Sequence, residues 1–338
     1  MTAQLRRFIA TFGSNGFNPS VLLALIILTT LTPAAFSADP AAQPGVSATA
    51  RETVQQMFHS DQSFRVAQAA TVPISVVHAA SFTAFEGAAA LASNTFGTVF
   101  GQIGDPAVAQ ESGRLLPDVA INDWADDFVN GVAPTSLSGV RVLVNGRESF
   151  ISFIGRAEDL GTTLDQINFV APDDDALGPV SIEVFQGDQM VAASVVNRGP
   201  LSPGLFAFGV FEGVTLPAAV SALGEFIAPV GFFAGLDTRP ARSGETILMF
   251  GTGFGATEPS IPAGQIVTQL SQIPTDEAMI TIGGLPAIVQ FAGLAPNLTG
   301  LHQFNLVVPQ LPNGIHAVTI ERAGIRSQAG TAIPVDNQ

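Results

Sequence analysis

Asp165-Gln166-Ile167-Asn168-Phe169-Val170-Ala171-Pro172 and His302-Gln303-Phe304-Asn305-Leu306-Val307-Val308-Pro309 are two versions of one phrase. Each is preceded by an alternating apolar strand closed by a glycine turn, Val140-Arg141-Val142-Leu143-Val144-Asn145-Gly146 in the first case and Met279-Ile280-Thr281-Ile282-Gly283-Gly284 in the second. Each is followed by another such strand. Further upstream, Phe96-Gly97-Thr98-Val99-Phe100-Gly101 answers Phe250-Gly251-Thr252-Gly253-Phe254-Gly255. Three matched segments in the same order make the chain an internal duplication. A repeated segment reports what the scaffold needs, so a site is expected where the copies differ.

Around these phrases, from Thr71 onward, short runs rich in Val, Ile, Phe and Thr alternate with turns of Gly, Pro, Asn and Asp, and no long helical period competes with them. That texture predicts an all-β protein of two tandem immunoglobulin-like β-sandwiches with about seven strands each. The 338 residues suffice for two full cores. The first sandwich is expected over 71–200 and the second over 201–338, with the junction at Pro200 to Pro203. In the second copy the pattern predicts single strands over Leu205 to Val210, Phe226 to Val230 and Ile325 to Ile333. An insert from Gln102 to Ala133 has no counterpart of equal length in the second copy and carries the only tryptophan, in Asp123-Trp124-Ala125-Asp126-Asp127-Phe128. Long inserts on a sandwich are loops, where binding residues concentrate.

The N-terminus carries Arg6 and Arg7, an apolar run from Val21 to Leu31, and Ala35 and Ser37 as small residues before a cut. Residues 1–37 therefore read as a secretory signal peptide, with a retained signal-anchor as the alternative. Residues 38–70 read as a linker or mobile arm, and the mature protein as secreted, extracellular or cell-envelope. No stable membrane span is expected after signal removal. Lys is absent; 13 basic residues face 28 acidic ones, for a formal charge of -15, which makes nucleic acid an unfavourable partner. With no Cys there are no disulfides, thiolate nucleophiles or Cys-ligated zinc.

The chemistry-bearing residues are sparse. Gly251-Thr252-Gly253-Phe254-Gly255 lacks the helix that a dinucleotide loop requires, and the other copy puts Val99 where Gly253 sits, so these glycines read as turns at a strand end. A Walker motif is excluded without Lys. No Gly-x-Ser-x-Gly occurs, and His59, His78, His302 and His316 show no metal-ligand or triad spacing. Carboxylates cluster at Asp123, Asp126 and Asp127 and at Asp173-Asp174-Asp175; calcium is a candidate ligand of either run, although neither has an EF-hand pattern. Gln166 with Asn168, and Gln303 with Asn305, share one face of their strands, while Ile167 and Phe169, or Phe304 and Leu306, share the other. Because both copies carry them, the amides read as structural ties between a crossing loop and the sheet. His302 replaces Asp165 of the first copy. Asn297-Leu298-Thr299 is a glycosylation sequon.

An ordered set of segments carries a resemblance: Val76-Val77-His78-Ala79-Ala80-Ser81-Phe82, Pro134-Thr135-Ser136-Leu137-Ser138-Gly139-Val140, Asp165 to Phe169, Ser202-Pro203-Gly204-Leu205-Phe206, Pro240-Ala241-Arg242-Ser243-Gly244-Glu245 and Gly251 to Gly255. From about Thr71 to the C-terminus the chain resembles the uncharacterised C-terminal module of exported acidobacterial proteins, which is similar to paired IPT/TIG domains. That family usually has Asn where His78 stands, and it lacks the long insert around Asp123 to Asp127. The resemblance implies an exported, non-enzymatic surface-interaction protein and carries over no catalytic residue.

The expected function is a binding or structural protein of the cell surface or extracellular space, with a surface protein or a glycan as partner, as a monomer or with weak self-association. No cofactor is expected. Asp123, Trp124, Asp126, Asp127 and His302 are the candidate binding residues. The alternative is an exported hydrolase with its site at the insert or between the domains; a deep cleft joining Asp123, Asp126 or Asp127 to His78 or His302 favours it, and an insert that simply packs Trp124 onto the sheet sinks it.

Overall fold

The computed structural model describes residues 74–85, 90–102, 122–156, 164–274 and 277–338. Residues 1–37, read above as a signal peptide, residues 38–70, read as an arm and including His59, and the larger part of the insert lie outside them. Among the described residues there is no helix long and apolar enough to cross a membrane, and the regular elements are strands.

The first half forms two sheets. One has the order Ile74–His78, Phe96–Gln102, Leu164–Val170, Phe150–Gly155, Asn122–Asp123, and the other Arg147–Glu148, Val140–Val144, Gly178–Gln186, Gln189–Arg198. The second half repeats the plan. Thr246–Thr252, His302–Val307 and Ile288–Leu294 stand in the order of Phe96–Gln102, Leu164–Val170 and Phe150–Gly155. Leu285–Pro286, Ala278–Ile282 and Gly314–Arg322 stand in that of Arg147–Glu148, Val140–Val144 and Gly178–Gln186. The molecule is a pair of immunoglobulin-like β-sandwiches, as the alternation of apolar residues requires.

The duplication extends to irregularities. Ile151 pairs Phe169 and Phe153 pairs Asn168, leaving Ser152 as a bulge; Val289 pairs Leu306 and Phe291 pairs Asn305, leaving Gln290 in the same place. Asn145-Gly146 and Gly283-Gly284 each take positive φ at both central residues, the two-residue hairpin geometry whose twist matches the flanking strands. One sequence match is displaced, however. Phe100 lies opposite Gln166 and Gly101 opposite Asp165, as Phe250 lies opposite Gln303 and Gly251 opposite His302. The partner of Phe250-Gly251 is therefore Phe100-Gly101, four residues beyond the Phe96-Gly97 that the sequence match selects. The first strand carries Phe-Gly twice, and a shift of four leaves every side chain on its face, so alternation alone cannot choose between them.

Two strands expected as single pieces are broken. Leu205 to Val210 divides into Gly204–Leu205, on the sheet, and Ala207–Phe211, in a separate hairpin with Val214–Pro217. Ile325 to Ile333 divides into Ile325–Arg326 and Ala332–Val335, both paired to Gly314–Arg322. The expected strand over Phe226 to Val230 shrinks to Phe226–Ile227, because the chain turns away at Pro229.

Two apolar cores form, but their boundary is not the junction between the copies. The second core belongs to the second sandwich, with Phe304, Leu306, Ile280 and Ile320 at its centre. The first runs from Val142, Ile167 and Phe169 into Phe206, Phe250 and Leu301 of the second copy. The reason is that Phe96 sits on the outer face of its sheet and meets Phe206 edge-on at 5.9 Å, while its backbone N–H donates to Thr252 Oγ1 at 3.0 Å. The second sandwich thus covers the outer face of the first at its Phe96 end.

Candidate functional site

The residues singled out in the sequence are mostly absorbed by this packing. Trp124 is 6% exposed and stands edge-on to Phe96 at 5.9 Å, with the tilted ring of Phe128 at 5.3 Å. Its indole is core, not a presented ligand contact. The insert returns by pairing with the second copy: Ala133 N–H donates to the Gly264 carbonyl and Ile266 N–H to that of Gly131, each at 2.8 Å. Steady-state fluorescence checks this. The single tryptophan should emit in the blue-shifted range of buried indole and resist acrylamide quenching, and both properties should vanish on unfolding.

Asp123, Asp126 and Asp127 are exposed, and Asp123 Oδ1 accepts from the Ala125 backbone at 2.8 Å. Among the described residues they make no contact with His78 or His302, the juxtaposition that would favour the hydrolase reading. Asp173 Oδ2 accepts from Ala263 N–H at 2.9 Å across the two copies, and Asp174 accepts from Asn145 Nδ2 at 2.7 Å and from Ala176 N–H at 3.1 Å. The Asn145 bond, followed by those from Ala176 and the charges of Arg198 and Arg147, holds the Asp174 carboxyl below its usual range. Among the described residues no group of three or more His, Cys, Asp or Glu converges as metal ligands.

His302 is 1% exposed, not part of a loop surface. It lies opposite Gly251 in the sheet, packs on Phe254 at 5.5 Å between ring centroids, and its Nε2 is 3.3 Å from the Gly255 carbonyl. Its place as a candidate binding residue is therefore corrected: an interior imidazole facing a backbone carbonyl, beside the guanidinium of Arg322. His78 is its counterpart at the junction. Nδ1 accepts from Ala80 N–H at 3.1 Å and Ser81 N–H at 3.2 Å, which requires Nε2 to carry the proton it donates to the Ser202 carbonyl at 2.8 Å. Burial pushes both imidazoles down to about 4, against the favourable backbone bonds.

The amide pairs behave alike in both copies. Gln166 Nε2 donates to Asn168 Oδ1, and Gln303 Nε2 to Asn305 Oδ1, both at 2.8 Å. Both bonds lie within one strand, and in the first copy Thr98 Oγ1 also donates to Asn168 Oδ1 at 3.0 Å, tying Asn168 to the neighbouring strand of its sheet, where a crossing loop was expected. The glycine run stands at the end of the strand Thr246–Thr252, with Gly253 and Gly255 at positive φ, and it has a further use. Ser202 N–H donates to the Gly253 carbonyl at 2.8 Å, and a Cβ on Gly251 or Gly253 would overlap the Gly204 or Ser202 carbonyl oxygen. The run is flat so that the junction segment can lie on it.

What remains on the surface is a feature the sequence reading passed over. Between Phe206 and Phe233 the chain places six phenylalanines. In the hairpin Ala207–Phe211, Ala207 pairs Pro217 and Gly209 pairs Leu216, so Phe208 is the bulged residue and turns inward. Its ring contacts Phe226 at 5.6 Å and Phe233 at 5.3 Å; Phe233 contacts Phe232 at 4.9 Å, and Phe232 contacts Phe211 at 6.5 Å. Phe211, Phe226, Phe232 and Phe233 are only half-buried, and Leu223 and Val230 beside them are 87% and 81% exposed. Phenylalanine density over a stretch with no tyrosine or tryptophan was the available signal.

At one end of this ridge is a hollow of about 410 Å³, with Leu223 and Phe226 as apolar wall and Glu225, Asp237 and Arg239 as polar wall. Arg239 is clamped between Glu245, at 2.9 Å, and Glu225, at 2.7 Å, which strengthens its hold on its proton and lowers the Glu225 carboxyl. Thr238 Oγ1 donates to the Pro229 carbonyl at 2.7 Å and fixes the loop that carries Val230 and Phe232. Asp237 is exposed and has no side-chain partner among the described residues.

No family model matches the chain, and no curated protein does. Similar solved structures include Yersinia pseudotuberculosis InvD, at 11% identity over 73% of this chain, with TM-score 0.18. The chain spans about half, 53%, of that structure's length. The D0-D1 domain of intimin is 9% identical over 73% of this chain and 91% of its own, with TM-score 0.18. A Bacteroides ovatus glucan-utilisation protein, SGBP-B in complex with a mixed-linkage heptasaccharide, is 15% identical over 65% of this chain and 71% of its own, with TM-score 0.13. With similarities this low, the strand order and register carry the fold and no activity is read from these proteins.

Proposed function

We propose that the chain is an exported, non-enzymatic interaction protein, two IPT/TIG-like sandwiches locked together to present one apolar surface to a cell-surface or extracellular partner. The observation that supports this reading is the phenylalanine ridge with Leu223 and Val230. Contiguous apolar surface of this kind marks interaction sites on soluble proteins, and half-buried aromatic side chains are the usual energetic anchors of an interface. A rigid base favours such a role because little entropy is lost on ordering the surface when a partner arrives. The His78, Trp124 and Asp173 contacts supply that base.

The exported chain should bind an envelope fraction of its source in a pull-down. Leu223→Ser with Val230→Ser should weaken that binding at least about tenfold, with no change in thermal melting because both side chains stand in solvent. Equal binding by the double variant would remove this reading.

A further inference from the structure

We infer that the phenylalanine ridge and its hollow take a basic, apolar protein segment, with a partner lysine or arginine in the hollow and partner apolar side chains along the ridge. The inference rests on the interaction reading above and names the chemistry of the partner.

The hollow has the two walls that such a side chain needs. Leu223 and Phe226 offer an apolar surface to its methylene stem, and Asp237, which lines the hollow with no side-chain partner among the described residues, offers a carboxylate to its charged head. Glu225 does not compete for this duty because Arg239 already occupies its Oε2 through Nε at 3.0 Å and Nη2 at 2.7 Å. The surroundings are acidic. Glu212 stands next to Phe211 at the hairpin tip, and with Glu225, Asp237 and Glu245 it outnumbers the guanidinium groups of Arg239 and Arg242. On a chain of formal charge -15, this local excess favours a cationic partner and slows approach of an anionic one.

The same observations weigh against the other occupants. An anionic lipid surface would meet these carboxylates at close range. Sugar rings prefer an open aromatic face, whereas the rings here are tilted 70 to 76° to their neighbours and present a ridge of edges and corners. A second copy of the chain would bring the same carboxylates face to face.

The test uses the full exported chain and three fluorescent peptides of one length, in which Leu and Phe alternate with Lys, with Glu or with Ser. The Lys peptide should bind most tightly and weaken as salt is raised. Asp237→Asn should weaken the Lys peptide about two- to fivefold and leave the Ser peptide unchanged; Leu223→Ser with Val230→Ser should weaken both at least about tenfold. Equal binding of the Glu or Ser peptide, no effect of Asp237→Asn, or no binding of any peptide overturns the inference. Binding of mixed-linkage glucan oligosaccharides or phosphatidylglycerol vesicles, or a dimer in sedimentation, overturns it too when lost in the Leu223, Val230 double variant, yet leaves the interaction reading intact. Only envelope binding that ignores the double variant removes both.

Discussion

Replacing Gly253 with alanine is expected to destabilise the protein by at least about 3 kcal/mol, from two additive sources. Gly253 has φ of +79°, where an L side chain is strained by roughly 1 to 2 kcal/mol. Its missing Cβ is also where the Ser202 carbonyl oxygen lies, and that oxygen is backbone, held in place by the Ser202 N–H bond to Gly253 and by the His78 ring. Nothing flexible can move aside, so the junction segment must lift from the sheet. Gly284 is the control. It has φ of +77° with nothing within 4 Å of an added Cβ, so Gly284→Ala should cost only the conformational strain, roughly 1 to 2 kcal/mol. Chemical denaturation of both variants separates the two contributions. Equal losses would show that the close approach at Ser202 carries no weight.

Acid should weaken the fold in a window set by the two buried histidines. Both imidazoles are held neutral in the folded state, down to about 4, whereas an unfolded chain protonates them near the ordinary histidine value of 6.5. Below 6.5 the unfolded state binds more protons than the folded one, so stability is fully present above 6.5 and falls as pH drops towards 4. Full titration corresponds to on the order of 3 kcal/mol for each histidine. The cause at His78 is specific: a proton on Nδ1 would face the Ala80 and Ser81 N–H groups that this nitrogen now accepts. His78→Asn offers a carbonyl oxygen to those two donors and does not titrate. It should lose about 1 kcal/mol at neutral pH with the Ser202 bond, and should remove roughly half of the pH dependence between 6.5 and 4. Denaturant midpoints measured across that range decide the matter; an unchanged slope in His78→Asn would show that His78 titrates normally. Asp174 and Glu225, whose carboxyls are lowered from 3.8 and 4.5, begin to lose their contributions as pH falls to those values, so they overlap this window only at its acid end.

Much of this was legible in the chain because it depends on near neighbours. The face shared by Gln166 and Asn168 follows from strand alternation, and their mutual bond recurs at Gln303 and Asn305 with the same length. The exchange of Asp165 for His302 also survives in the register, each lying opposite a glycine. Their surroundings were not legible. Trp124 looked like a presented aromatic because it sits in an insert among exposed aspartates, yet alternate residues of a loop can face opposite ways, and the outer face of the sheet at Phe96 was open to receive it. The Gly251 to Gly255 run reads as turns at a strand end, and its neighbour is a segment some fifty residues earlier, which no local pattern names. The phenylalanine ridge escaped for the same reason: Phe211, Phe226 and Phe232 are ordinary apolar residues until the hairpin, the short strand and the loop meet.

The chain by itself therefore determined the class and the repeat: two sandwiches, the paired glycine turns, the inward and outward faces of each strand. These depend on backbone sterics and a period of two, which act over a few residues and are written twice here. Tertiary structure decided which outward faces stay outward. The first copy's sheet is buried on both sides where the second sandwich lies across Phe96, while Gln303 and Asn305 remain half-exposed. Burying apolar area is non-directional, so only the meeting of distant segments settles which phenylalanines become core and which, beside Leu223 and Val230, are left as a surface for a partner.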